Sequence, residues 1–368
     1  VSDPFTGAVA AAIGVTRVAR ITGLDRAGVE VACAVRPGGH VLQVSNGKGP
    51  SFERAALGAV LEACELWSAE HPPPLVVASP TELAEAARGP FLAPEALASS
   101  IDPALAEARI GWFQATDLFT ATPLIVPAHA LFCPPPGAPS LGPATVRWSS
   151  NGMGAHRDRA SALLHALLEA IERDRLARAL PDGFTPRALR RRLIAPGSLS
   201  RGAPRTAALA ASLASKRFAV HLLDAAPEKD AIGLPVAAAL LVDLDEGPVP
   251  VAAGYACRLG RDDALTAALL EAAQSRLTEI HGAREDVAVS GRDDALPIAA
   301  ACARARPIRV ASALPNFKAP GATAAVRLVL SRLRRAGFRS GVVAQLPSPP
   351  GVSVVKVIVP GFLLSELL

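Results

Sequence analysis

The stretch Ser149-Ser150-Asn151-Gly152-Met153-Gly154, followed by His165-Ala166-Leu167-Leu168-Glu169-Ala170-Ile171-Glu172-Arg173-Asp174, decides how this chain is read. A polar, glycine-bearing segment comes first. A helical repeat from about Asp158 to Ala179 then carries two carboxylates three positions apart. Residues at that spacing share a helical face, so Glu169 and Glu172 project together. The arrangement occurs earlier too: Ser45-Asn46-Gly47-Lys48-Gly49 nearly repeats Ser150-Asn151-Gly152-Met153-Gly154, and the helix predicted over Phe52 to Glu70 carries Glu62 and Glu65. A third long helix, from about Asp262 to Ile280, has Glu271 and Gln274 at the same spacing. One half of the fold therefore echoes the other.

An acid-x-x-acid pair is common on solvated helix faces. Here Glu62 is flanked by Val60, Leu61 and Ala63, and Glu169 by Leu167, Leu168 and Ala170. That puts both at the edge of a buried face, where carboxylates repel one another and lose hydration unless cations neutralise them. Five carboxylates and one amide converging from three helices make an oxygen-rich site of the kind Mg²⁺ accepts, with phosphate oxygens completing its shell. The glycine segments, read as loops opening helices, would add N–H groups as an anion cradle. Lys48 and Arg173 are candidate phosphate contacts. Cys64 is read as a core residue, His165 as a ligand, a base or a packed ring, and Cys257-Arg258 as a pair that could approach the site from near Gly254. Neither a Walker A sequence, nor G-x-G-x-x-G after a strand, nor H-E-x-x-H is present.

With 368 residues, half of them hydrophobic, the chain can bury one large core or two intimate ones. Its net charge of +5 is spread along the sequence, which suits small anionic ligands better than a nucleic-acid duplex. The basic run Arg187-Ala188-Leu189-Arg190-Arg191-Arg192 lacks interleaved aromatics, and with aromatic residues at 4% base stacking has little support. No nucleic-acid partner is expected. The longest apolar stretch, Ala231 to Val242, is interrupted by Gly233 and Pro235 and is too short to span a bilayer, so no membrane partner is expected either. There is no basic region ahead of the first alanine run, as a secretory signal would need. Five widely spaced cysteines without C-x-x-C indicate neither a disulfide framework nor a zinc site. A soluble, cytoplasmic protein is the expectation.

Strands are predicted at Val29–Val35, Val41–Ser45, Gly111–Ala115, Leu124–Ala128, Ala144–Trp148, Phe218–Asp224, Leu234–Asp243, Val249–Tyr255, Gly341–Gln345 and Val352–Val359. Helices interleave with them, which gives an α/β class with helices packed on mixed sheets. The proline-rich stretch Cys133 to Pro143 joins a first region, about 1–132, to a second, about 144–368, within a single domain spanning 1–368.

With those motifs in place, the chain resembles the YcaO family. The resemblance rests on Ser149-Ser150-Asn151-Gly152 with the Glu169 helix, on Gly47-Lys48-Gly49 with Leu61-Glu62-Ala63-Cys64-Glu65, and on Leu270-Glu271-Ala272-Ala273-Gln274-Ser275-Arg276 with Gly282-Ala283-Arg284-Glu285-Asp286. It extends from about Gly14 to Gly361. It implies an ATP-binding fold whose members phosphorylate a peptide backbone amide oxygen. Carried over residue by residue, Glu62, Glu65, Glu169, Glu172 and Glu271 would hold Mg²⁺, while Lys48, Glu62, Asn151, Glu169, Arg173, Gln274 and Arg276 would contact nucleotide. No protein nucleophile is assigned, and Arg173 and Arg276 would assist phosphoryl transfer. Two positions depart from the family pattern: Gly58 stands where a serine is usual, and Leu66 where an arginine is.

The run Glu65-Leu66-Trp67-Ser68-Ala69-Glu70 resembles the subgroup associated with a TfuA partner. The end, Pro360-Gly361-Phe362-Leu363-Leu364-Ser365-Glu366-Leu367-Leu368, lacks the Pro-x-Pro-x-Pro tail of azoline-forming members. The resemblance thus implies thioamide formation on a peptide or protein, with a TfuA-like partner, a sulfur donor and a homodimer. An azoline-forming or amidine-forming enzyme is the alternative within the family, and a peptide-binding scaffold on a degenerate nucleotide site is the alternative outside catalysis. About 44 residues precede the first glycine segment, too few for a separate leader-peptide-binding domain.

Overall fold

The computed structural model describes residues 3–365 apart from 87–88, 98–101, 246, 285 and 287–291, so Glu285 and the last three residues of the tail lie outside the described residues. Helix α1 (Pro4–Ala12), capped by Asp3, leads into a sheet of β1 (Arg17–Arg20), β2 (Glu30–Val35) and β3 (Val44–Gly49). Helix α2 (Phe52–Glu70) follows on a Ser51 cap and stops at His71, because three prolines come next and proline disfavours a helical predecessor. After β4 (Val76–Ala78) and α3 (Pro80–Glu85) come β5 (Ile110–Asp117), β6 (Pro123–Pro127) and β7 (Met153–His156). Helices α4 (Arg159–Ala179), α5 (Pro186–Arg192), α6 (Leu199–Gly202) and α7 (Pro204–Ser215) precede a third sheet of β8 (Phe218–Asp224), β9 (Val236–Asp243) and β10 (Val251–Cys257). Helices α8 (Arg261–His281), α9 (Arg292–Arg304) and α10 (Ala322–Arg335) then lead to the hairpin β11 (Val342–Leu346) and β12 (Ser353–Ile358). That hairpin enters the second sheet, whose order is β4-β5-β11-β12-β7 with β6 on β5.

The α/β layering is as the sequence implies, and every ladder between these strands is antiparallel. The mixed pairing expected from the element order is confined, among the described residues, to two isolated parallel bridges, Phe91 with Ile125 and Ile194 with Arg309. Most neighbouring strands follow one another directly and pair as hairpins, which requires antiparallel geometry. Two strand positions are also corrected. Residues 144–148 form no strand, and β3 lies later than the stretch Val41–Ser45 that was read for it.

The first glycine pentapeptide lies wholly within β3, and the second is a turn at 150–152 that runs into β7 at Met153, so neither opens its helix directly and the meaning of their glycines shifts. A Cβ on Gly47 of β3 would stand 2.2 Å from both Ala55 O and Ala59 N of α2. On Gly154 of β7 it would meet Ala162 O of α4 at 2.3 Å, and on Gly254 of β10 it would meet Ala272 N of α8 at 2.1 Å. Each of three strands therefore receives the backbone of the helix that follows it, at a distance only glycine permits. Alanines on the helices complete the close approach, with Ala55, Ala59, Ala162, Ala166, Ala268 and Ala272 all fully buried. The sequence displays two of these units, β3–α2 and β7–α4. Of the third, β10–α8, the sequence displays the strand and the helix with its Glu271 and Gln274, and only the role of Gly254 emerges with the structure.

Replacing Gly254 with alanine forces strand and helix backbones apart. We expect Gly254→Ala to lower stability by about 3 kcal/mol, read as a fall in Tm. Gly197→Ala, where an added Cβ meets nothing within 4 Å, is expected to stay within about 0.5 kcal/mol of the wild type.

Candidate functional site

The three strand–helix units face one another across a cavity of about 1100 Å³. Glu62 and Glu65 enter it from α2, Glu169 and Glu172 from α4, and Glu271 and Gln274 from α8. Carboxylates so close together need donors, and the strands supply them. Asn46 N–H of β3 donates to Glu62 at 2.8 Å, Ala155 N–H of β7 donates to Glu65 at 2.7 Å, and Cys257 N–H of β10 donates to Glu172 at 2.9 Å. The second residue of each helix pair thus reaches the strand of the next unit: Glu65 reaches β7 and Glu172 reaches β10.

Gln274 closes the circle by donating its side-chain N–H to Asn46 O of β3 at 3.4 Å. That gives a physical reason for the amide. The free main-chain group at Asn46 is a carbonyl, because its N–H already serves Glu62, and a carboxylate could not donate to it. Side chains tighten the ring further: Asn46 Nδ2 donates to Thr278 Oγ1 at 2.7 Å, and Lys48 Nζ pairs with Glu271 at 3.0 Å. Arg173 stands 3.5 Å from Glu172, and Arg284 stands 3.5 Å from Glu62.

Depth in the protein pushes Glu62, Glu65, Glu169 and Glu172 above the ordinary carboxylate range, Glu169 to about 8. Burial pushes Glu271 upward as well, but Lys48 and Arg173 beside it outweigh that and hold it below its usual value. His165 opens onto the cavity, and its depth in the protein together with Arg258 and Lys48 pulls its ring down to about 4, so it is neutral near pH 7. A packed histidine is therefore not what the structure shows.

The other expected residues are distributed as follows. Asn151 lies outside the main cavity, in a smaller one of about 250 Å³ that shares Glu169 and Arg173 with it. Arg276 is a correction. It is 1% exposed, pairs with Asp25 at 3.0 Å and Asp243 at 2.8 Å, and donates to Val249 O, so it is a buried structural cation that does not line the cavity. The anion cradle at helix N-termini is a second correction. Residues 45–49 lie in β3 and 150–152 form a turn before β7, and the N–H groups of Asn46 and of Ala155, just beyond the second segment, are bound by the protein's own glutamates. Leu66 is buried without lining the cavity, whereas Gly58 forms part of its wall, where an added Cβ would sit 3.5 Å from Gly47 Cα in ordinary contact. Cys64 is a core thiol, pushed up to about 12 by burial. Cys257 acts through its main chain, and Arg258 lines the cavity.

Lys356 is a functional candidate that the sequence reading passed over. It is 3% exposed on β12, donates to Ser149 O, stands 5.3 Å over the Trp148 ring, and is pulled down to about 8 by burial while Glu169 and Glu65 act to hold its charge. A lone lysine within Val354-Val355-Lys356-Val357 was the available signal, because a charge in an apolar strand must be paired. Tyr255 was missed too; its ring stacks against Phe184 and lies 5.9 Å from the Arg173 guanidinium.

Among the described residues, no three acids, histidines or cysteines are close enough to hold an ion unaided. Mg²⁺ does not require that, since it keeps waters and takes phosphate oxygens around one or two carboxylates. The donor set fits such an ion with a nucleotide: hard oxygens whose raised values favour the arrival of positive charge, flanked by Lys48, Arg173 and Arg258. Asn46 Oδ1 is also buried without a hydrogen-bond partner, which leaves an acceptor for a ligand.

A profile described as YcaO cyclodehydratase, ATP- and Mg²⁺-binding, matches residues 46–363. An uncharacterized protein from the tfuA 3′ region of Rhizobium leguminosarum bv. trifolii is 28% identical over 95% of this chain and 83% of its own length. In solved structures, YcaO from Methanopyrus kandleri bound with AMPPCP and Mg²⁺ is 21% identical and superposes with a TM-score of 0.69 over 96% of this chain and 87% of that one. A heterocyclase in complex with substrate and cofactor, also 21% identical, superposes at 0.73 over 95% of this chain, which spans 50% of that longer protein. No helix among the described residues is long and apolar enough to cross a membrane.

Two outcomes follow for the site. Glu169 has a folded-state value near 8, above its unfolded one, so its contribution to stability is fully present below about pH 4.5 and is lost as pH rises through about 8. The metal-free protein should lose Tm between those values, and Mg²⁺ with nucleotide should flatten the slope while releasing protons, seen as calorimetric heats that vary with buffer ionisation. Gln274→Glu sets two acceptors against each other and should destabilise by about 1–3 kcal/mol, read by chemical denaturation.

Proposed function

The chain belongs to the YcaO family of ATP- and Mg²⁺-binding proteins, and on that premise we propose that it activates a backbone amide of a peptide or protein for conversion to a thioamide. The observation that carries the reading is the closed ring of glutamates around one cavity, with Lys48, Arg173 and Arg258 among them. Glu62, Glu65, Glu169, Glu172 and Glu271 are the side chains that would hold Mg²⁺. Lys48, Arg173 and Arg258 would face the phosphates, with Gln274 and Asn46 fixing the wall beside them and Asn151 lining the smaller cavity that also holds Glu169. Bound Mg²⁺ supplies charge neutralisation for phosphoryl transfer.

A sulfur nucleophile adds to the amide carbon, the oxygen takes the γ-phosphoryl group from ATP, and departure of phosphate leaves C=S in place of C=O. An amide oxygen is a poor leaving group, and phosphorylation is what removes it. The chain's own residues exclude water, orient the nucleotide and hold its charge, and none is assigned as a nucleophile. The choice of sulfur over a side-chain or amine nucleophile is supported by the Glu65-Leu66-Trp67 run, by the tail without alternating prolines, and by the relative in a tfuA region. A TfuA-like partner, a sulfur donor and a homodimer belong to the same proposal. The scaffold alternative drew on Gly58 and Leu66. With Leu66 outside the cavity and all six helix positions lining it, the observations favour catalysis.

Calorimetric titration of ATP with and without Mg²⁺ tests the reading. We expect Mg²⁺-dependent binding that Glu62→Gln and Glu172→Gln each weaken at least about tenfold, or 1.4 kcal/mol. Arg276→Met should lower Tm and leave affinity little changed in the folded fraction. With peptide, partner and sulfide present, the product should gain mass by exchange of sulfur for oxygen. Loss of one water would instead identify ring closure by a side chain or an amine. Absence of nucleotide binding with Mg²⁺ and partner present would refute the enzymatic reading.

A further inference from the structure

The third sheet does not end at β8. Leu193 bridges antiparallel to Leu223 of β8, and Ile194 then bridges parallel to Arg309, with Arg309 N–H donating to Leu193 O at 3.0 Å and Ala195 N–H donating to Arg309 O at 2.8 Å. Because Arg309 turns its main-chain groups inward, those of Ile308 and Val310 turn outward. Ala313 N–H takes the Val310 carbonyl at 3.0 Å. The N–H and C=O of Ile308 and the N–H of Val310 have no hydrogen bond among the described residues. The side chains of Ile308 and Val310 are 67% and 44% exposed. Natural sheets usually cover or charge such an edge.

The surroundings indicate what would cover it. Arg187, Arg190 and Arg191 of α5, Arg304 and Arg306 are exposed, and Arg309 lies within the edge, with its Nε donating to Arg191 O at 3.2 Å. The acids paired with them among the described residues are Glu228, 3.3 Å from Arg191, and Asp224, 4.0 Å from Arg309. An extended segment carrying acidic side chains would pair with the free main-chain groups and complement this charge.

The edge is also joined to the cavity. Helix α9 packs against β10 and α5, its Ala295 and Ile298 line the cavity, and its C-terminus runs into 305–310. A helix of 13 residues is about 20 Å long. The four strand spacings from β10 to Arg309 give about 19 Å.

We propose that the edge at Ile308–Val310 is a strand-addition site for an acidic, extended segment of the peptide substrate, which it holds while a distant residue of the same peptide enters the cavity. The proposal rests on the reading of the chain as a peptide modifier. A span of about 20 Å requires roughly six extended residues between the docked segment and the reacting amide.

The test uses the full chain without nucleotide and a short fluorescein-labelled peptide of alternating Glu and Val. Saturable binding is expected, with Ile308 and Val310 amides becoming protected from hydrogen exchange. Arg304→Glu combined with Arg306→Glu should weaken binding at least about tenfold, and Ile308→Pro should do the same by removing a donor. Calorimetric nucleotide binding should be unchanged in both variants, which verifies their folding. A probe that fails to bind, binds all forms equally, or leaves those amides unprotected overturns the proposal. So does a DNA duplex that displaces the probe while Ile308→Pro has no effect, since that outcome assigns the arginines to nucleic acid. Loss of ATP binding by the wild type with probe binding intact would count against the enzymatic reading and uphold the docking edge.

Discussion

Three peptide N–H groups, those of Asn46, Ala155 and Cys257, each hold an oxygen of a buried or half-buried glutamate, and the rest of the structure is arranged so that they can. A carboxylate removed from water is tolerated only when hydrogen-bonded or paired. The donors lie on strands and the acceptors on helices, so the two must be brought unusually close. Gly47 allows this for Glu62, whose strand and helix belong to one unit, while Gly154 and Gly254 seat β7 on α4 and β10 on α8, so that the bonds of Glu65 to β7 and Glu172 to β10 join neighbouring units. The small alanines of the helices complete these contacts and so take on a structural role there.

The linkage also explains an asymmetry among the motifs. Two helices end their pair with glutamate and the third with glutamine. The strand group facing Gln274 is the carbonyl of Asn46, and only an amide can donate to it while keeping an oxygen for the cavity. Arg276, one turn-fraction further along α8, points instead to Asp25 and Asp243 and ties the helix to the neighbouring sheet. Two polar residues two positions apart on one helix thus serve opposite sides of it.

Most of this site was legible from spacing. The pairs Glu62/Glu65, Glu169/Glu172 and Glu271/Gln274 stand at helical intervals in apolar surroundings, and the structure brings all six to one cavity. Helix α2 and strand β8 fall at their predicted boundaries, because proline and serine punctuation marks the first and a short, largely apolar run marks the second. The meaning of the glycines was not legible. A glycine that opens a helix and a glycine over which a helix packs look alike in sequence, and the difference lies in a tertiary contact. The same holds for Arg276, whose partners are distant in the chain, and for Lys356, whose strand returns from the C-terminal region to lie beside β7. Helix α9 and the edge beyond it lack a sufficiently periodic pattern and emerged only with the fold.

The circular order of the contacts, from α2 to β7, from α4 to β10 and from α8 back to β3, has a consequence for cooperativity. No segment of the chain contains the site, and each third of it is incomplete without the other two. A partly folded chain that has formed two units would present the glutamates of one helix with no donor and so gain nothing from a ligand. Occupancy is therefore coupled to completion of the whole domain, and any ligand of the cavity acts as a thermodynamic clasp on the native state by mass action. Quality control of such a chain in the cell would track nucleotide supply as much as sequence.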